Sequence, residues 1–98
     1  MTSTLTPTLV DRSVTLTTNS AEMLPANNQR RGLFIQNVSA VNVGINIDGG
    51  TAAIGTKGTV TLVPNAVLSS EESGVCPKNA FTGICASATA GMTIWETV

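Results

Sequence analysis

The chain has 98 residues, 42% hydrophobic, 3% aromatic and 11% charged, with a formal net charge of −1 and neither histidine nor tyrosine. That length makes one domain, and charge at less than half the usual ~25% argues against wholesale disorder, which goes with charge-rich, apolar-poor chains. No basic excess marks a nucleic-acid surface, no apolar run nears the ~18 residues of a membrane helix, and the missing imidazole excludes Ser-His-Asp and Cys-His catalysis within one chain.

Residues 1–9, rich in Thr and Ser and without a pairing pattern, read as an N-terminal arm ahead of a single domain over residues 10–98. No basic residue precedes the first apolar ones, so the start does not read as a secretory signal. Period-two alternation begins in "SVTLTT", where Val14 and Leu16 point one way and Thr15 and Thr17 the other. "NSAEMLPANN" (19–28) reads as a connection with at most one helical turn, ended by Pro25. "RGLFIQNVS" is a second strand, and its consecutive Leu33, Phe34 and Ile35 predict cover on both faces. In "VNVGINID", Val41, Val43, Ile45 and Ile47 share one face, and Ser39-Ala40 is expected to join the two strands as a tight hairpin.

"DGGTAAIGTKG" (48–58) reads as a mobile Gly-rich loop with little to bury. Gly50 and Gly55 have Walker-like spacing, but Thr56-Lys57-Gly58 and then a strand follow, where a phosphate loop needs Gly-Lys-Ser/Thr and a helix. Asp48 is at most a weak calcium candidate. "TVTLVP" and "AVLSS" flank a turn at Pro64-Asn65. "SEESGVCPKN" (70–79) is an exposed loop, and "AFTGICASA" and "MTIWETV" complete the set, divided by Thr89-Ala90-Gly91. Six to eight short strands at this spacing predict an all-β fold, a small antiparallel sandwich or jelly-roll-like barrel.

Little reactive chemistry accompanies these strands. Glu71 and Glu72 are neighbours whose side chains diverge on an extended chain, so they read as a solvated loop rather than paired catalytic carboxylates. Cys76 and Cys85 do not make a disulfide framework. Free thiols are preferred over a bridge, and two thiolates without further ligands cannot close a metal site. No metal or cofactor is expected. Asn37-Val38-Ser39 is a glycosylation sequon by form alone, since no secretory signal accompanies it. Trp95 either caps the core or sheet face near the C-terminus or lines a sugar site or subunit contact. Arg30 and Arg31 precede the most apolar strand, where successive side chains project oppositely. One could clamp carbonyls or a carboxylate of a neighbouring strand; alternatively both are solvated and blunt a sheet edge. Gln36 and Asn37 end that strand with amides able to pair with backbone.

The segment "ANNQRRGLFIQNVSAVNVGINIDGG", with "VTLVPNAVL" and "FTGICASATAGMTIWET" downstream, resembles small virion proteins of tailed bacteriophages. In these an Asn-rich turn and an Arg precede an apolar strand ending in Gln-Asn, and a Val/Asn strand leads to Gly-Gly. The resemblance spans residues 12–97 and implies a β-sandwich that decorates or cements a capsid, often as a homotrimer over joints between major capsid proteins. It implies structural roles for Arg30, Gln36 and Asn37, to which Trp95 is added as a structural aromatic. It also makes Thr2, Ser3, Thr4, Leu5, Thr6, Pro7 and Thr8 the segment that reaches onto the capsid or a sister subunit. The expected partners are the major capsid protein and the chain itself, with no nucleic acid and no membrane, and the expected location is the virion. The alternative is a tail or fibre accessory domain that binds a host glycan, through Trp95 and the Asn-rich faces, or another tail protein.

Overall fold

The computed structural model describes residues 8–70 and 76–98, which form nine strands and no helix. They are β1 (Leu9–Asp11), β2 (Val14–Thr17), β3 (Ala21–Leu24), β4 (Gly32–Asn37), β5 (Val43–Asn46), β6 (Thr59–Leu62), β7 (Val67–Ser70), β8 (Phe81–Cys85) and β9 (Thr89–Thr97). Two antiparallel sheets stack as a β-sandwich. The five-stranded sheet runs β1-β9-β4-β7, with β2 also on β9, and the four-stranded sheet runs β3-β8-β5-β6.

Alternation dictates which side chains meet between the layers. From β9 the inner set is Ala90, Met92, Ile94 and Glu96; from β4 it is Leu33, Ile35 and Asn37; from β5 and β8 it is Val43, Ile45, Phe81 and Cys85. Leu16, Met23, Leu24 and Leu62 complete the core. Gly83 lets the layers approach: a Cβ there would lie 3.0 Å from both Leu16 methyls and from the Met23 sulfur. Cys76 and Cys85 are both buried and free.

Several sequence expectations need correction. The segment before Pro25 is not a helical turn but β3, drawn into the sheet because Met23 and Leu24 are buried there and its edge pairs with β8. Ser39-Ala40 does not close a hairpin, since β4 and β5 lie in different sheets. Thr89-Ala90-Gly91 divides nothing; it is the first third of β9, paired with β2. Leu33 and Ile35 are buried but Phe34 is only half-covered, so one face at that level is open. Thr8 and Leu9 are not part of a free arm: Thr8 and Val98 exchange backbone hydrogen bonds, and Leu9 pairs with Thr97. Residues 2–7 of the expected arm, with Glu71 and Glu72, lie outside the described residues.

The loop over residues 47–58 is also not idle. It folds back on the outer face of the four-stranded sheet, with Ala52 buried. Asn46 caps its start by accepting from the Asp48 and Gly50 amides. Thr82 donates its hydroxyl to the Gly50 carbonyl, and the Ala52 amide donates to the Ser20 hydroxyl. Gly44 makes room for this cover: a Cβ would lie 2.8 Å from the Thr59 methyl and 3.0 Å from Ile54.

Candidate functional site

Three features position whatever this molecule does, namely a charged centre at one end, a neutral polar centre at the other, and between them a sheet face that no described segment covers.

Arg30 and Glu96, both fully buried, meet at the end where β1 begins and β9 finishes. The Arg30 Nε donates to Glu96 Oε2 at 2.6 Å. Its Nη1 donates to the Pro77 and Asn79 carbonyls and its Nη2 to the Pro25 carbonyl, and the guanidinium lies 5.5 Å from the centre of the Phe81 ring. Arg12 Nε and Asn27 Nδ2 both donate to Glu96 Oε1, at 3.2 and 3.1 Å. Burial by itself would push the Glu96 pKa up; the donors from Arg30, Asn27 and Arg12 outweigh it and hold the carboxyl below its ordinary range. Arg30 is therefore a clamp on a carboxylate and three carbonyls. Arg31 keeps its amide on the Thr97 carbonyl and its side chain half-exposed.

At the opposite end Asn37 is fully buried. Its Nδ2 donates to the Val41 and Leu62 carbonyls at 2.8 and 2.9 Å, while its Oδ1 accepts from the Ser39 amide and hydroxyl. Its own backbone takes part as well, the amide donating to Ala66 O and the carbonyl accepting from the Asn65 amide. Gln36, facing outward, donates to the Asn65 carbonyl. The sequon asparagine is thus spent on holding two connections, with no part of its amide at the surface.

The outer face of the five-stranded sheet is different in kind. Trp95, 39% exposed, stands on β9 directly opposite Phe34 on β4. Val67 on β7 and Leu9 on β1, 47% and 64% exposed, extend the apolar stripe across the sheet. Around it stand Thr15, Gln36, Ser69, Thr93 and Thr97, all uncharged, with Asp11, on edge strand β1 directly across from Trp95, the one carboxylate of this face among the described residues. The Ser13 hydroxyl and amide lower the Asp11 pKa. A small apolar cleft of about 140 Å³ opens elsewhere, between the layers at the charged end, among Leu33, Leu68, Pro77 and Phe81. Its described lining is apolar apart from Ser69 and Ser70.

Glu96 is the residue that sequence reasoning missed. The signal was in the alternation: Met92, Ile94 and Glu96 share a phase, so a carboxylate in "MTIWETV" points inward and needs a cation.

No protein-family model matches the chain, and no curated protein is significantly similar to it. A solved structure of a Bacillus endospore appendage, described as one of a family of disulfide-linked pili, aligns with a TM-score of 0.41 and 18% identity. That alignment covers 100% of this chain and 96% of the other. A likeness so distant transfers no function from one chain to the other.

Proposed function

We propose that this chain is a non-enzymatic structural protein of a bacteriophage virion, a decoration or cement protein that binds the assembled shell and stabilises it. Its partners are then the major capsid protein and other copies of itself, in the three-fold arrangement that the sequence resemblance implies. The observation that supports this reading is the outer face of the five-stranded sheet, which no described segment covers. It carries an exposed tryptophan in a nearly uncharged surround, which suits a molecule that spends its life against other protein. Binding only the assembled shell would add to shell stability by linkage, and a mostly neutral contact would depend little on salt.

The test is to add purified protein to undecorated shells and to measure bound copies and the heat resistance of the shell. Saturation at hundreds of copies with raised heat resistance is the expected result. A handful of copies at a tail or vertex would instead favour the accessory-domain reading. Removing residues 1–7 should leave the fold intact and lower occupancy on the shell; unchanged occupancy refutes the anchoring role of that segment.

A further inference from the structure

We propose that the outer face of the five-stranded sheet is a self-association surface, on which a second copy of this chain packs face to face. The argument does not depend on the virion reading; under that reading the pair would form off the shell and part when the shell takes the same face. The chain covers its other sheet face with residues 47–58, even setting Gly44 where any side chain would push that cover away. No described segment covers the five-stranded sheet in this way, and Trp95, Val67 and Leu9 are exposed on it among the described residues.

The chemistry of the face points to its own copy as the occupant. A two-fold contact requires a patch that complements itself. The polar side chains here are hydroxyls and an amide, Thr15, Thr93, Thr97, Ser69 and Gln36, and each both donates and accepts. A copy can therefore satisfy them, while the Trp95–Phe34 stripe meets apolar surface. Among the described strand residues of this face, a charged partner would find only the Asp11 carboxylate beside Trp95. Among the described residues two like faces bring that one carboxylate each, in a chain of net charge −1, so repulsion is small.

Area sets the strength. At ~3.3 Å per residue and ~4.8 Å between strands, the face has a flat footprint of roughly 400 Å², so a pair covers about 800 Å². That is below the roughly 1,200 Å² at which stable specific contacts begin. It suits an association weak in dilute solution and stronger where copies are concentrated side by side.

Trp95 is the only tryptophan, so its emission reports this face alone. The experiment follows weight-average mass and Trp95 emission together as the intact chain is concentrated from ~10 µM to ~1 mM. Mass should climb toward twice that of the monomer while emission moves to shorter wavelength. Val67→Arg keeps the reporter and should abolish both changes; Thr61→Arg, on the covered sheet, should abolish neither. A constant monomer mass at all concentrations overturns the proposal. So does a mass that rises, to two copies or three, with Trp95 emission unchanged, because another surface is then in use. Shell binding is measured separately, so a protein that pairs but ignores shells would remove the virion reading and leave this one standing.

Discussion

The two ends of the sandwich solve one problem with different chemistry. Connections that cross from one sheet to the other carry carbonyls that no strand can pair, and a buried carbonyl without a donor is costly. At one end those carbonyls are those of Val41 and Leu62, and the two N–H groups of a short amide, Asn37, satisfy them. At the other end they belong to Pro25, Pro77 and Asn79, from two connections far apart in the chain. Only a long side chain with several donors reaches all three, and arginine is the residue with that reach. The guanidinium brings a charge, which is why Glu96 must stand inside the core beside it. The number of orphaned carbonyls at each end has decided whether that end is neutral or ionic.

Breaking each end tests this account. The largest effect is expected from Arg30→Ala, which leaves Glu96 buried without its main partner, takes the side-chain donor from the Pro25 and Asn79 carbonyls and leaves that of Pro77 with only a weak thiol contact from Cys76. Loss of one member of a buried pair costs about 3–5 kcal/mol, enough to leave a chain this small largely unfolded at 37 °C by circular dichroism; a fall in Tm of only a few degrees would contradict the clamp. Asn37→Ala takes the side-chain donor from the Leu62 carbonyl, leaves the Val41 carbonyl with only the Ser39 hydroxyl and strands no charge, and should cost about 1–3 kcal/mol in chemical denaturation. If it costs as much as Arg30→Ala, the distinction between the ends fails. Smallest at any single pH is the titration of the ionic end. Because the folded Glu96 pKa lies below its unfolded value, its stabilising contribution is complete above the ordinary carboxylate range and is lost as pH falls through the depressed value. Asp11, also lowered, adds in the same direction. Tm should therefore drop between about pH 6 and about pH 3. A Glu96→Gln variant, less stable throughout, should show a shallower drop, and an equal slope would mean that other carboxylates carry the effect.

How much of this was legible beforehand follows from the same geometry. The strands themselves showed, because alternation in "SVTLTT", "VNVGINID" and "MTIWETV" is local information. Their partners did not. Apart from the joints between β1 and β2 and between β5 and β6, each connection leads to the other sheet, and a short turn looks alike in sequence whether it closes a hairpin or arches between layers. That is why Ser39-Ala40 misled: what makes it an arch is Asn37 bonding Leu62 O, a residue 25 positions away. The sequence β3 in "NSAEMLPANN" was hidden for a related reason. Its pattern is short and interrupted by Glu22, and only burial of Met23 and Leu24 under the facing sheet reveals it. The Arg30 clamp was one of two readings open from sequence, and its carboxylate partner needed the phase of β9. The outer face of the five-stranded sheet was foreshadowed only by Trp95 alternating out of step with Ile94 and Glu96.

The reciprocal backbone bonds between Thr8 and Val98 place the first and last described residues side by side. A peptide bridge of a few residues could join them, and the chain could be reopened at the Pro64-Asn65 turn on the far side, where both residues are exposed. Such a rewired molecule would carry a tag or cargo at the Asn37 end of the sandwich, opposite the joined pair, and the one buried bond it would put at risk is that of the Asn65 amide to the Asn37 carbonyl.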